Sequence, residues 1–403
     1  MANLSTTEKK KLQGIMTDPV SWAQVFLRTF DNKTGKVVPW RARWYQCEML
    51  RDKSKKRVYR CGRRTGKCLP EWDEVIDYKT GERVTVGELY KRGKANLVTL
   101  NEDYTLGPNF TNQIFDNGVK EVFRVTTKTG RQIDATGNHP LLTGLGWTDI
   151  DYLKPGMKVA LPSHLNYWGN ERVSDNEAKL LAYMIGDGNC TNKTIRFSAN
   201  NDYPKIKHEM NTICSYYNCQ LKQYSYNASC DYNIVKLEKD IKNKSVKNNI
   251  KEILIENEVY GKGAKEKRIP NKIFRSNKRT AKIFLSRLYS TDGWVYYKDS
   301  NKLRYEIGYG TSSKLLAKDV QHLLLKFGIN SYLKTKKVKY NDSYNISYTV
   351  MIYCKDDVIN FIKNIGIYGK EDKTSELFKL IKNTKKTERY LPKEILSFVV
   401  IIK

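Results

Sequence analysis

Nowhere does this chain contain the run of roughly 20 apolar residues that a bilayer-spanning helix needs, and its N-terminal MANLSTTEKKK has no apolar stretch behind the charges to act as a secretory signal. Both absences point to a cytosolic protein. Paired cysteines are missing as well. The 8 cysteines include no CxxC and no regular framework, which argues against a disulfide scaffold and for reduced thiols. A zinc cluster from Cys214, Cys219, Cys230 and His208 would need spacings unlike those of ordinary zinc motifs. Acid is scarce: 43 Asp+Glu stand against 72 Lys+Arg, a net charge of +29. That excess exceeds what solubility requires and favours a polyanionic partner, nucleic acid first. A solvated lysine-rich surface is the alternative. The 27 tyrosines, many set among lysines as in QLKQYSYN and VYYKDSNKLRYEIGYG, tilt the balance to DNA, because Tyr and Lys suit a half-buried sheet facing phosphates.

What is present begins with a broken motif. Residues 61–73 read CGRRTGKCLPEWD. Gly62, Arg63, Gly66 and Lys67 look like the front half of a phosphate-binding loop, where glycines let backbone N–H groups curl around an anion and the lysine reaches the terminal phosphates. A Ser or Thr opening a helix should follow, yet Cys68, Leu69 and Pro70 lead into strand-like sequence. Upstream, DPVSWAQVFLRTF predicts a helix capped by Asp18 with Pro19 in its first turn, RWYQCEMLRDK continues helically, and KRVYRCG predicts a short strand feeding the loop.

A length of 403 residues suggests two to four domains, and four regions separate by periodicity. Residues 1–67 are α/β. Residues 68–167 are expected to be all-β, with β-branched runs broken by Thr-Gly turns and a hairpin at Lys128-Thr129-Gly130-Arg131. Residues 168–370 alternate helices and strands and contain an internal repeat; residues 371–403 are a linker or a truncated return to the β-rich region. The first repeat opens with a capping box from Ser174 to Glu177 and EAKLLAYMIGDGN, the second with TAKIFLSRLYSTDGW. Each opening helix ends in Asp-Gly, at Asp187 and Asp292, 105 residues apart. The glycine is expected to stop the helix in the left-handed conformation. A carboxylate there faces the negative end of the helix dipole, which costs up to about 1 kcal/mol unless a cation compensates. Two such placements suggest a shared metal. Ala178, Ala182 and Ala281 would let the helices approach until both ends meet, holding Mg²⁺ against scissile phosphates. Ordinary Asp-Gly turns after core helices are the plainer reading.

LLAYMIGDG and LSRLYSTDG resemble the paired signatures of LAGLIDADG (dodecapeptide) homing endonucleases, and KRIPNKIF is similar to the lysine-bearing block between them in intein members. SSKLLAKDVQHLLLKFGI resembles the block after the second signature. The resemblance implies metal-binding roles for Asp187 and Asp292 and an auxiliary catalytic role for Lys267, orienting the attacking water. Tyr183 and Arg287 depart from the family, which has smaller or apolar residues there. The β-rich segment resembles the N-terminal splicing region of inteins: CLPEWDEVID looks like the first block, and ATGNHPLL matches the Thr-x-x-His block through Thr136, Asn138 and His139. The phosphate loop would then stop because another gene product starts at Cys68.

A nucleophile adjacent to its own scissile bond can cleave a peptide without a protease. Cys68 would attack the Lys67 carbonyl, His139 would protonate the departing amide nitrogen, and Thr136 and Asn138 would orient it or polarise the carbonyl. Residues 1–67, the N-extein, resemble the ATPase start of a phage terminase large subunit, with Gln46 as an adenine contact and Cys61 where the loop's first glycine usually lies.

The expected fold is multidomain: a short α/β extein fragment, an all-β Hedgehog/intein-type splicing domain, and an α+β LAGLIDADG endonuclease with two pseudo-symmetric repeats. The expected function is protein splicing coupled to site-specific cleavage of double-stranded DNA. Mg²⁺ would serve the endonuclease, no cofactor the splicing, and ATP only the spliced host protein. The location would be cytoplasmic, in a bacterial host if phage-encoded. The strand-rich C-terminal block with its terminal Asn is not found before SFVVIIK; it is expected downstream or in trans, followed by a Ser or Thr that would restore the loop's Mg²⁺ ligand. The alternatives are a terminase-type DNA packaging motor with a β-rich insertion and a non-enzymatic basic DNA-binding protein.

Overall fold

The computed structural model describes residues 13, 15–31, 36–39, 51, 68–191, 194–200, 203–223, 229–237, 247–298, 303–340, 343–382 and 399–402. The chain divides into two units, Met1–Lys67 and Cys68–Lys403. In the first, Asp18 caps the helix Pro19–Phe26 by accepting from the Ser21 N–H at 3.1 Å, with Pro19 in the first turn. Asp18 also takes two hydrogen bonds from Arg51, which with Ser21 hold its carboxyl well below the usual range. The helix is shorter than its apolar stripe suggests. It ends at Phe26, and Arg28–Asp31 pairs antiparallel with Lys36–Pro39. Gln46, Gly62, Arg63, Gly66 and Lys67, with the predicted strand before them, lie outside the described residues.

The second unit begins with short antiparallel pairs, Glu74–Ile76 with Arg83–Thr85 and Ala95–Leu100 with Leu106–Thr111. Between them stands the helix Val86–Arg92, where sequence periodicity predicted only strands. Its cause is local: Thr85 and Glu88 form a full capping box, and Gly93 closes the helix at φ 68°. A six-stranded sheet follows, in the order Gly146–Asp149, Pro140–Thr143, Lys158–Val159, Val399–Ile402, Val122–Thr127, Gln132–Thr136. Segment 399–402 therefore lies within the sheet of the β-rich region, with Val399 opposite Val159 and Ile401 opposite Thr127. The turn at Lys128–Arg131 is the expected hairpin, with Gly130 at φ 83°.

Residues 175–364 contain one succession twice. Helix Asp175–Gly186 leads to strands Gly188–Asn189 and Ile195–Asn200, helix Pro204–Tyr216, strands Cys219–Gln223 and Ser229–Lys236, and helix Asn249–Glu256. Helix Lys278–Asp292 leads to strands Gly293–Lys298 and Arg304–Thr311, helix Lys314–Lys326, strands Tyr332–Tyr340 and Ser343–Ile352, and helix Lys355–Asn364. In each sheet the last strand of the four lies between the second and the third. One large apolar core joins the two copies, running from Leu180 to Ile381. The Ser174 capping box is only half made. Ser174 accepts from the Glu177 N–H at 3.1 Å, while the Glu177 carboxylate takes the Lys272 ammonium at 2.7 Å instead. An ionic partner outcompetes a backbone N–H for a carboxylate.

The β-rich region and the repeat are joined by buried charge. Asp319, 1% exposed, accepts from Arg83, Arg268 and the Ile269 N–H. Lys326, also 1% exposed, donates to the carbonyls of Gly81 at 2.9 Å and Phe274 at 2.8 Å, and lies 4.6 Å from the Trp168 ring centre. Burial and nearby Arg83 bring its amine down to about 7.

Candidate functional sites

At the first site the strand Gln132–Thr136 delivers Thr136 to Cys68. The Cys68 N–H donates to Thr136 Oγ1 at 3.2 Å, and the Thr136 N–H returns a bond to the Cys68 carbonyl at 3.2 Å. Thr136 Oγ1 donates to Asn138 Oδ1 at 2.8 Å, and the His139 N–H donates to the Thr136 carbonyl at 2.8 Å. The tight bend between them needs Gly137, since a Cβ there would stand 2.0 Å from Asp151 Oδ1. A second clasp fixes the chain just beyond Cys68. The Asp134 N–H donates to Asp73 Oδ2 at 2.9 Å, while Asp134 accepts from Trp72 Nε1 at 3.0 Å and Arg124 at 2.7 Å. Two residues that sequence reasoning missed face the thiol: Asn117 Nδ2 is 3.4 Å and Lys120 Nζ 3.7 Å from Cys68 Sγ. They sit in a polar loop whose composition carries no signal of this.

At the second site the two opening helices pack together, with Ala178, Ala182 and Ala281 fully buried. At Gly186 they are in close contact: a Cβ there would stand 2.1 Å from Thr291 Oγ1. Asp187 caps the first helix and Asp292 ends the second. The glycines that follow do not take the expected left-handed conformation; Gly293 is extended, at φ −89° and ψ 149°. Their role is close approach. A Cβ on Gly188 would meet the Met184 carbonyl at 2.4 Å, and one on Gly293 the Tyr289 carbonyl at 2.3 Å, because each chain folds back over the last turn of its helix.

Burial and the charge of Asp292 push the Asp187 carboxyl up to about 7, and burial raises Asp292 as well although it keeps contact with solvent. Lys267 and Lys370 oppose both shifts. Lys267 Nζ donates to the carbonyls of Gly188 at 2.7 Å, Met184 at 3.2 Å and Gly186 at 3.3 Å, so it is first a cation at the negative end of a helix. Lys370, missed in the sequence because it lies 78 residues beyond Asp292, plays the matching part: its Nζ donates to the Gly293 carbonyl at 2.6 Å. Two neighbouring carboxylates, one of which raises the proton affinity of the other, are a hard oxygen donor pair suited to a divalent cation. Burial pushes the nearby Cys190 thiol up to about 11. Among the described residues no third His, Cys, Asp or Glu joins them, so a bound ion would complete its shell with water or phosphate oxygens. Cys214, Cys219, Cys230 and His208 make no metal-binding group among the described residues: Cys219 lies beside Cys214 and donates to Asn248, Cys230 accepts from Gln223, and His208 is exposed. Nor is any helix among those residues long and apolar enough to cross a membrane.

The second of these helices, with the four-stranded sheet it feeds, has a counterpart in a described family: residues 280–366 match the LAGLIDADG-like domain. Among curated proteins, the chain is 30% identical over 307 residues to the replicative DNA helicase DnaB of Rhodothermus marinus, an alignment covering 74% of this chain and 32% of the relative. It is 28% identical over 277 residues to the RecA protein of Mycobacterium tuberculosis, covering 66% and 33%. The chain thus spans about a third of the length of these two relatives. Among solved structures, that of the Ssp DnaB mini-intein variant M86 is 30% identical with a TM-score of 0.24, covering 25% of this chain and 62% of that one.

Proposed function

We infer that residues 68–403 belong to an intein that carries a LAGLIDADG-type homing endonuclease, within a host protein of which residues 1–67 are a part. The observation that carries this reading is the clasp of the Cys68 amide by Thr136, beside Asn138 and His139, in the same unit as the converging Asp187 and Asp292. The relatives support it in a specific way. Two proteins with different names, a helicase and RecA, each match over most of this chain and only a third of their own length, the pattern expected of a shared insertion.

In the splicing reading, the Cys68 thiolate attacks the Lys67 carbonyl. The C–N bond to the Cys68 nitrogen breaks, a proton passes from His139 to that nitrogen, and a thioester remains. Thr136 Oγ1, accepting from the Cys68 N–H, orients the scissile amide; Lys120 and Asn117 donate to the sulfur and hold it in place. Completion requires a C-terminal splicing block with its terminal Asn, in cis or in trans, followed by Ser or Thr. The host would be a nucleotide-binding protein, as GRRTGK suggests, and the terminase likeness rests on that stretch.

In the endonuclease reading, the partner is double-stranded DNA. Exposed Lys334, Lys336, Lys337 and Lys339 with Tyr344 on the strands Tyr332–Tyr340 and Ser343–Ile352 supply phosphate contacts. Asp187 and Asp292 would hold Mg²⁺, which supplies phosphoryl polarisation and an acidified water when bound. Lys267 and Lys370 fix the two helix ends. Incubating the full chain with a small thiol tests the first reading: a fragment ending at Lys67 is expected from the parent and none from Cys68→Ala. Equal release from both would refute it.

A further inference from the structure

Arg287 and Tyr183 lie on the two opening helices, and both reach one buried carboxylate. Glu209, on helix Pro204–Tyr216, accepts from Arg287 Nε at 3.0 Å and Nη2 at 2.9 Å, from Tyr183 Oη at 2.5 Å and from Lys179 Nζ at 2.9 Å. Burial works to raise the Glu209 carboxyl, but these bonds, the Arg287 pair first, hold it below the usual range, so it stays ionised. The other face of Arg287 is committed as well. Its guanidinium carbon sits 4.2 Å from the Tyr368 ring centre, and the Tyr368 N–H donates to the Ser286 carbonyl at 3.4 Å. Two residues on is Lys370, whose Nζ reaches Gly293 and lies 5.1 Å from the Tyr203 ring centre. Between them Gly369, at φ 80°, lets the chain reverse, and its N–H donates to Glu371 Oε1 at 3.0 Å.

We propose that Arg287 is a positioning residue for the endonuclease: held in register by Glu209, it stacks on Tyr368 and so sets the turn that aims Lys370 at the end of the second helix. The proposal rests on the endonuclease reading above. A planar guanidinium suits this double task because it can donate a pair of hydrogen bonds to a carboxylate in its plane while presenting its face to a ring. Losing Arg287 leaves Glu209 paired to Lys179 and Tyr183, so no buried charge is stranded and the fold should survive.

The test uses the full chain and a supercoiled plasmid carrying the host gene with the inserted sequence deleted, cut in single-turnover conditions with Mg²⁺. Arg287→Met should lower the cleavage rate at least tenfold with DNA affinity within about twofold of the parent. Arg287→Lys, which keeps the charge but not the fork, should recover only part of the loss. In a Lys370→Met background the same Arg287→Met change should cost less than twofold. A full tenfold loss in both backgrounds would mean a general structural role and would overturn the proposal, as would unchanged cleavage by Arg287→Met. Hydrogen exchange gives a readout independent of cutting: the amides of Gly369, Lys370 and Thr374 should exchange at least fivefold faster in Arg287→Met and in Tyr368→Ala, with those of helix Lys278–Asp292 unchanged. Unaltered exchange in this turn would refute the positioning. Cleavage that persists in Asp187→Asn together with Asp292→Asn would instead refute the shared-metal site, and absence of cleavage by the parent chain would refute the endonuclease reading, whatever the exchange result.

Discussion

Replacing Gly186 by Ala adds one methyl at the point where the two opening helices touch. Its Cβ would lie 2.1 Å from Thr291 Oγ1, 2.6 Å from Thr291 Cβ and 2.7 Å from Thr291 Cγ2. Rotating the threonine gives no escape, because its Cβ is itself too close and its hydroxyl is tied to the Leu288 carbonyl at 2.6 Å. Carbon atoms settle at about 3.5–4 Å, so the helix ends must separate by about 1 Å. Overpacking of this kind costs about 1–3 kcal/mol, against a helix-propensity gain of at most about 1 kcal/mol for Gly→Ala. The net expectation is a loss of about 1–2 kcal/mol, read as a lowered urea midpoint at unchanged slope. Because Asp187 is the next residue, the same shift spreads the two carboxylates, and Mg²⁺-dependent cleavage should fall about 10²-fold. Thr291→Gly removes all three clashing atoms. Combined with Gly186→Ala it should be no less stable than Thr291→Gly alone by more than about 0.5 kcal/mol, leaving a favourable coupling of about 1 kcal/mol. Strict additivity, or a Gly186→Ala chain with parental stability and cleavage, would refute the close-contact argument.

Three other outcomes follow from the two sites and the buried lysine. Lys120→Met, which removes a donor 3.7 Å from the sulfur, should slow thiol-induced release at Lys67 several-fold; His139→Ala should slow it at least tenfold, the low end of roughly 10²-fold for proton transfer. Asp187→Asn or Asp292→Asn, or chelation of divalent metal, should abolish double-strand cleavage while DNA binding keeps its steep fall with salt, followed by filter binding between low and moderate ionic strength. Lys326, brought down to about 7 from an ordinary 10.5, releases its proton in the folded chain at a pH where the unfolded chain still holds it. Stability should therefore rise with pH between about 7 and 10.5. Lys326→Met should flatten that rise in urea midpoints measured at pH 7 and 9.5, and an unchanged rise would show that the amine is not the group responsible.

Local signals in the sequence were enough for the helices that end at Asp187 and Asp292, for the Lys128–Arg131 turn and for the strand that carries Thr136. Each depends on residues a few positions apart: an apolar stripe, a cap, a Thr-Gly pair, an alternating run. Even there, local rules misled where two of them competed. The Thr85–Glu88 capping box turned a β-branched stretch into a helix, and Lys272 drew Glu177 away from the Ser174 box. The glycines after the aspartates looked like left-handed stops and proved to be close-approach positions, because what they avoid is the helix turn they fold back upon. Tertiary structure alone decided the rest. Lys370 meets the aspartates, Lys120 meets Cys68, and Arg287 meets both Glu209 and Tyr368 across separations of 52 to 183 residues, and no periodic pattern records such distances. The sequence could supply the charges, but only packing could desolvate Asp187 and Lys326 enough to shift their protons, since that requires excluding water from several sides at once.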